Sequence, residues 1–159
     1  MSQKSLSNRL KLIIIGIGLC GAVFYAIILP FLYNGYRGLA PEGEGTLPLG
    51  LIYLWVSGIP CYFALFFAMK IAVNIGKDRS FSEENAVLLK RISTLALIDS
   101  AYIFVGCLLS LAFGSGEPMA AVIALVIVFA GIAIAIAAAA LSHLVMKAAE
   151  LQQENDLTI

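Results

Sequence analysis

Asp99 is the residue of this sequence that is best placed to do chemistry, because it is the one carboxylate inside a long apolar run. A carboxylate at the centre of a bilayer costs about 2.5–3.5 kcal/mol on insertion scales. We therefore expect Asp99 to face other helices and to be hydrogen-bonded or protonated. We predict that the hydroxyl of Tyr62 or of a nearby serine meets it. Such an intramembrane polar site would hold a proton, a cation or a small ligand; the alternative is a structural hydrogen bond between helices.

Other chemistry has little support in the sequence. Cys20, Cys61 and Cys107 all lie in apolar runs and form no C-x-x-C pair, so we expect them to act as small hydrophobic residues. We predict no metal site and no cofactor. The sequence also shows no Gly-rich phosphate loop, no paired carboxylates within one apolar run and no nucleophile–base arrangement. These observations predict a protein that is not an enzyme.

The apolar runs place the chain in the membrane class. Of 159 residues, 61% are hydrophobic and 13% are charged, with a mean hydropathy of +0.97; soluble domains are about 45–50% apolar and about 25% charged. A helix of about 20 residues crosses the hydrocarbon core, and residues 12–33, 49–73, 86–113 and 119–146 fit four such helices. We predict an all-α integral membrane four-helix bundle that forms a single domain over residues 1–159. The small residues that recur within the runs favour a compact bundle, and pairing of two copies through one such face is an open alternative.

Basic residues in the flanks predict the orientation. The N-terminal flank carries Lys4, Arg9 and Lys11, and Lys77 and Arg79 lie between spans two and three, whereas residues 34–48 contain a single basic residue. Basic flanks remain in the cytoplasm. We therefore predict a bacterial inner-membrane protein with both termini in the cytoplasm. The formal net charge of +0 gives no reason to expect direct nucleic-acid binding.

Two cytoplasmic segments extend beyond the predicted spans. Gly76 suits a helix end in a left-handed conformation, and Ser80 with Glu83 fits a capping box that begins helix three in water. Helix four should continue past the membrane into the tail 147–159, whose first residues are good helix formers. We expect the chain to leave the helix beyond Asn155.

These two segments resemble the bacterial domain-of-unknown-function 2975 family of small four-helix membrane proteins. The family pattern has a Gly, then Phe-Ser, then Glu-Asn leading into a helix with Leu and a basic residue, and ends in a Glu-Leu…Glu-Asn-Asp-Leu-Thr-Ile/Val tail. The matching loop residues are Gly76, Phe81, Ser82, Glu84, Asn85, Leu89, Arg91 and Ile92. The matching tail residues are Glu150, Leu151, Glu154, Asn155, Asp156, Leu157, Thr158 and Ile159.

The resemblance implies a regulatory role without established chemistry. Genes of the family commonly lie beside small helix-turn-helix DNA-binding proteins, which implies a membrane protein that binds or restrains such a regulator. We predict that the loop and the tail form one interaction surface, including Lys77 and Arg79, in which Glu154 and Asp156 pair with those two cations and Leu157 packs near Phe81. The alternatives are a small transporter, channel or membrane-ligand sensor that uses Asp99, and a structural subunit of a membrane complex.

Overall fold

The protein is built from helices throughout the residues that its computed structural model describes, which are 3–37, 49–114 and 118–157. The elements are α1 (Gln3–Val23), a π-helical turn (Phe24–Ile28), α2 (Leu29–Arg37), α3 (Leu49–Gly76), α4 (Glu83–Ala112) and α5 (Pro118–Leu157). The first three run on without a break and form one long span.

Within the described residues, four helices are long and apolar enough to cross a membrane, which confirms the predicted all-α, four-span fold class. They are Gln3–Leu32, Gly50–Gly76, Glu83–Ala112 and Pro118–Asn155. With 40 residues, α5 is about 60 Å long at 1.5 Å per residue, twice the thickness of a hydrocarbon core of about 30 Å. Its helix continues to Leu157, beyond the predicted end at Asn155.

The spans pack as an open row and not as a compact bundle. In the described part of the chain, α1 packs on α3, α3 on α4 and α4 on α5, with no more than marginal contact between any other pair of spans. The reason lies in α3, whose Trp55, Gly58 and Tyr62 face the first span, whereas Tyr53 and Cys61 face α4. At 100° per residue these two sets lie on well-separated sides of the helix, so α3 holds its two neighbours apart.

The tightest contact, between α4 and α5, is a seam of small residues. Small buried residues recur here every seven positions, and they are Ala86, Ser93 and Ser100 on α4 and Ala135, Ser142 and Ala149 on α5. The Ser142 hydroxyl donates to the Ala86 carbonyl at 2.7 Å, and the Ser93 hydroxyl donates to the Ala135 carbonyl at 2.7 Å. Small side chains let the two backbones approach closely, which is the main source of helix association in lipid. We refer to these six residues as the α4–α5 seam.

Pro30 shapes the first span. A proline inside a helix removes one donor and crowds the preceding turn, and here the π-helical turn ends two residues before Pro30. The Leu29 amide donates to the Phe24 carbonyl, five residues back. This register change leaves the Tyr25 carbonyl available, and it accepts a hydrogen bond from the Trp55 indole at 3.0 Å. Pro60, in contrast, is accommodated inside α3.

Polar residues define one end of the molecule, which we call the charged end. It comprises the start of α1, the loop 77–82, the start of α4 and the end of α5. The Ser80 hydroxyl donates to Gln3 Oε1 at 3.4 Å, and Gln153 Nε2 donates to Glu83 Oε1 at 3.3 Å. These contacts bring the loop and the tail helix to the same end of the row, as predicted from the sequence.

The predicted capping residues differ from those observed. α3 ends at Gly76, as expected, but the left-handed residue of this turn is Asp78, with a φ of 58°. α4 is capped by Ser82, whose hydroxyl accepts from the Asn85 amide at 3.3 Å, and not by Ser80. The capping-box prediction was therefore two residues early, because the Ser80 hydroxyl is bonded to α1 instead.

Candidate functional site

Asn85 organises the charged end. Its side chain is 1% exposed, which makes it one of the largest fully buried side chains among the described residues. Its Oδ1 accepts from Asn74 Nδ2 at 2.9 Å, and its Nδ2 donates to the carbonyls of Arg79 and Ser80 at 2.9 and 3.1 Å. A buried amide with all of these bonds formed holds its partners in one arrangement, because breaking any of them leaves a buried polar group unpaired.

The loop 77–82 is thereby tied to both flanking helices. The Asn74 carbonyl accepts from the backbone amides of Lys77 and Arg79, both at 3.0 Å. Asn85 then fixes the far side of the loop from α4. The loop is therefore a fixed turn between α3 and α4, and its exposed side chains project from a defined backbone.

α1 closes the other side of this cluster. The hydroxyl of the buried Ser7 donates to the Ala72 carbonyl at 2.7 Å. A Cβ on Gly76 would lie 2.7 Å from the Ser7 hydroxyl oxygen, so any larger residue would have to displace the Ser7 side chain, and the approach of α1 favours glycine there. This explains the motif glycine better than the left-handed conformation predicted from the sequence.

The outer face of the charged end exposes most of the residues predicted to form an interaction surface. Phe81 is 58% exposed and Leu151 is 64% exposed, although both are apolar. The exposed polar members of the predicted surface are Lys77, Arg79, Glu84, Glu150, Glu154 and Asn155. Gly76, Ser82 and Asn85, in contrast, shape the backbone beneath that face. The family-like motif thus contains both supporting residues and exposed ones.

The predicted contacts of the tail are only partly described. Gln153 contacts Glu83, so α5 lies beside the start of α4. The side chains of Asp156 and Leu157 lie outside the described part of the structure, as do Thr158 and Ile159. Pairing of Glu154 and Asp156 with Lys77 and Arg79, and packing of Leu157 near Phe81, therefore remain predictions.

Asp99 lies between α3 and α4, but its predicted contact with Tyr62 is wrong. The Tyr62 hydroxyl donates to the Gly18 carbonyl at 3.1 Å, and the neighbouring residue Cys61 brings its thiol to 3.8 Å from Asp99 Oδ2. Cys61 and Tyr62 are neighbours in sequence and therefore lie about 100° apart around α3. As a result, Tyr62 faces the first span while Cys61 faces α4. Asp99 Oδ1 is buried and has no hydrogen-bond partner within residues 3–37, 49–114 and 118–157.

A tyrosine pair that sequence reasoning missed joins the same two helices. The rings of Tyr53 and Tyr102 stack with centroids 4.5 Å apart. Each hydroxyl donates to the other residue's backbone carbonyl, at 2.9 and 3.1 Å. Gly106 makes room for this arrangement, since a Cβ there would overlap the Tyr53 ring. Tyr53 and Tyr102 are forty-nine residues apart, so no local sequence pattern indicates that they pair. Gly106, a glycine inside an apolar run, was the available indication that α3 and α4 approach closely.

The four spans and their packing define the chain as a multi-pass helical membrane protein. The family model described as "Protein of unknown function (DUF2975)" matches residues 31–159. The chain is also 34% identical over 153 residues to the uncharacterized membrane protein YoaS of Bacillus subtilis (strain 168), covering 95% of this chain and 94% of that protein. The chain therefore belongs to the DUF2975 family, as its motifs predicted. No solved structure shows significant similarity to it.

Proposed function

We propose that this protein is a non-enzymatic regulatory membrane protein whose charged end faces the cytoplasm and binds a helix-turn-helix transcription regulator. The observation that carries the proposal is the exposed Phe81 on a loop whose backbone is held by the buried Asn85. Aromatic side chains such as phenylalanine are enriched in the core of protein interfaces. Phe81 supplies such an anchor in the loop 77–82, and Leu151 lies on α5 beyond residue 146, where the sequence predicts the fourth span to end.

The charged end presents glutamates as well as basic side chains to a partner. Glu83 and Glu84 lie in the first turn of α4, and α5 adds Glu150 and Glu154 nearby. DNA-binding domains carry basic surfaces that contact phosphate groups. These glutamates would attract such a surface and compete with DNA for it, whereas the exposed Lys77 and Arg79 of the same end carry the opposite charge. The glutamates support the restraint of a DNA-binding protein that the family resemblance implies.

The proposal is tested by a cross-linking pull-down from native membranes, combined with transcription of the partner's target gene. We expect Phe81→Ala and deletion of residues 152–159 each to reduce recovery of a helix-turn-helix protein and to change target transcription. Phe129→Ala is the matched control, because Phe129 is exposed on a membrane span. If both variants recover the partner as the wild type does, the docking role of the charged end is wrong.

A second function, sensing or transport at Asp99, is favoured by one observation. A buried carboxylate oxygen without a partner is costly unless a proton or a ligand satisfies it. We expect Asp99→Asn to keep the fold, since the amide has the same shape, but to abolish any response to a membrane-borne signal. A wild-type phenotype for Asp99→Asn would leave Asp99 a structural residue. The apolar groove between α1 and α3 does not include Asp99.

A further inference from the structure

A groove on the membrane-facing side of the row lies between the first span and α3. It has a volume of about 760 Å³ and is open along its length. Small residues and aromatic rings line it, among them Ala22, Ala26, Gly58, Trp55, Tyr62 and Phe66. All of them belong to helices that are long enough to cross the membrane. The groove is therefore open to lipid chains and not to water.

Two aromatic residues that line the groove use their polar atoms to bond the first span. The Trp55 indole N–H donates to the Tyr25 carbonyl at 3.0 Å, and the Tyr62 hydroxyl donates to the Gly18 carbonyl at 3.1 Å. With these groups satisfied by the first span, the rings present carbon to the groove. A hydrocarbon ligand thus loses no hydrogen bond on entering, and a polar ligand would gain none.

The length of the groove matches one leaflet. Phe66 follows Trp55 by eleven positions on α3, which corresponds to about 16 Å of helix. The hydrocarbon core is about 30 Å thick, so the groove extends over about half of it. One acyl chain of a lipid in a single leaflet covers this distance.

A cation marks the end of the groove that lies toward the charged end. The Lys70 ammonium lies 4.8 Å from the centroid of the Phe66 ring, and Lys70 is exposed. On the neighbouring α4, the Arg91 guanidinium lies 5.6 Å from the Phe67 ring centroid and provides a second cation at this level. Lysine and arginine at the membrane surface attract anionic headgroups.

From these four observations we propose that the groove is a binding site for an anionic phospholipid. One acyl chain lies along the small residues and aromatic rings between α1 and α3, and the phosphate lies beside Lys70. The lipid comes from the leaflet on the side of the charged end. This proposal does not depend on the regulatory role proposed above.

The site contains its own probe, because Trp55 is the single tryptophan of the chain and lines the groove. The full-length protein is reconstituted into phosphatidylcholine vesicles that contain small fractions of either dibrominated phosphatidylglycerol or dibrominated phosphatidylcholine. Bromine quenches tryptophan emission on contact. We expect half-maximal quenching at about a fivefold lower mole fraction of the anionic lipid, which is the effect of one lysine at a membrane surface.

Two pairs of variants test the two parts of the site. Lys70→Gln should remove the fivefold preference, whereas Lys147→Gln, which alters an exposed lysine on α5, should retain it. Ala26→Leu fills the groove and should reduce the saturable quenching by both lipids at least twofold. Ala133→Leu makes the same change at an exposed position on α5 and should leave the saturable quenching of Trp55 unchanged.

The proposal would be overturned if half-maximal quenching occurred at the same mole fraction of both lipids. It would also be overturned if Lys70→Gln kept the preference for the anionic lipid. Protection of Trp55 from both lipids in a chain that migrates as a dimer would overturn it as well, since a second copy would then cover the groove. Molar salt provides a measurement that needs no variant. It should abolish the preference of the wild-type protein by screening Lys70, and a preference that survives molar salt would contradict the role of this lysine.

Discussion

At the scale of single residues, Asn85 carries more of the structure than any charged side chain of the loop. It bonds Asn74 on α3 and two loop carbonyls, whereas Lys77, Arg79 and Glu84 around it are exposed. Surface ion pairs contribute about 0–1 kcal/mol. Leaving buried partners unpaired costs about 1–3 kcal/mol for each group. The amide in the motif therefore holds the surface in place, and the exposed charges are free to act in recognition.

Replacing Asn85 should loosen the loop. We expect Asn85→Ala to lower the free energy of unfolding by about 2–4 kcal/mol, because Asn74 and two carbonyls lose their partner. It should also speed tryptic cleavage after Lys77 and Arg79, which limited proteolysis in detergent would measure. Glu84→Ala, at the exposed neighbouring position, serves as the control. Equal cleavage rates in the two variants would show that Asn85 does not hold the loop.

Gly106 is a second residue whose size decides a contact. We expect Gly106→Ala to displace the Tyr53 ring and to cost about 1–3 kcal/mol, as is usual for overpacking. Thermal unfolding in detergent would measure this loss. Gly16→Ala is the matched control, since nothing lies within 4 Å of the added carbon there. A similar melting temperature for both variants would rule out the close approach of Tyr53.

At the scale of elements, the α4–α5 seam shows why helices of uniform hydropathy still pair in one register. The apolar residues surround α4 and α5 on every side, so burial from water does not select a face in lipid. The selection comes from small residues at a seven-residue interval and from the two serine hydroxyls that bond across. The register is fixed where the backbones can approach.

The α4–α5 seam predicts that an Ala→Leu substitution on α5 destabilises the protein at position 135 but not at position 133. Ala135→Leu should destabilise the protein by about 1–3 kcal/mol, because the added side chain forces α4 and α5 apart. Ala133→Leu, two residues away and exposed, should be close to neutral. Thermal unfolding of both variants in the same detergent provides the comparison. A larger loss for Ala133→Leu would place the contact face on the other side of α5.

How much the sequence could predict also depends on the element. Hydropathy predicted four spans, but the first helix begins nine residues before the predicted start, at Gln3, and the fourth ends nine residues after the predicted end, at Asn155. The small residues of α5 indicated close packing. The cap at Ser82 could not be distinguished from Ser80, because both serines offer the same hydroxyl and only the tertiary contact with Gln3 occupies one of them. Likewise, the partner of Asp99 depended on the rotation of α3, which uniform hydropathy leaves unspecified.

At the scale of the whole molecule, the loop, the tail helix and the start of α1 meet at one end, so the topology concentrates the family-like motifs on one side of the membrane. At the opposite end the first span ends at Arg37 and α3 begins at Leu49, and α4 ends at Ala112 and α5 begins at Pro118. An even number of spans places both termini on the same side. The basic residues at the charged end then favour the cytoplasm.

This orientation can be tested by labelling. In a background with Cys20, Cys61 and Cys107 replaced by alanine, we expect Lys77→Cys and Gln152→Cys to react with a membrane-impermeant maleimide only after cells are lysed. Thr46→Cys should react in intact spheroplasts. Labelling of Lys77→Cys in intact spheroplasts would reverse the orientation and remove the charged end from the reach of any transcription regulator.

The open row has a consequence for how the protein is made. Each span packs on the span that was synthesised just before it, and in the described ranges no substantial contact joins the first span to the last. A newly inserted helix therefore meets its native neighbour already in the membrane. Assembly can keep pace with the ribosome, one helix at a time, and the entropy of closing a long loop is never required.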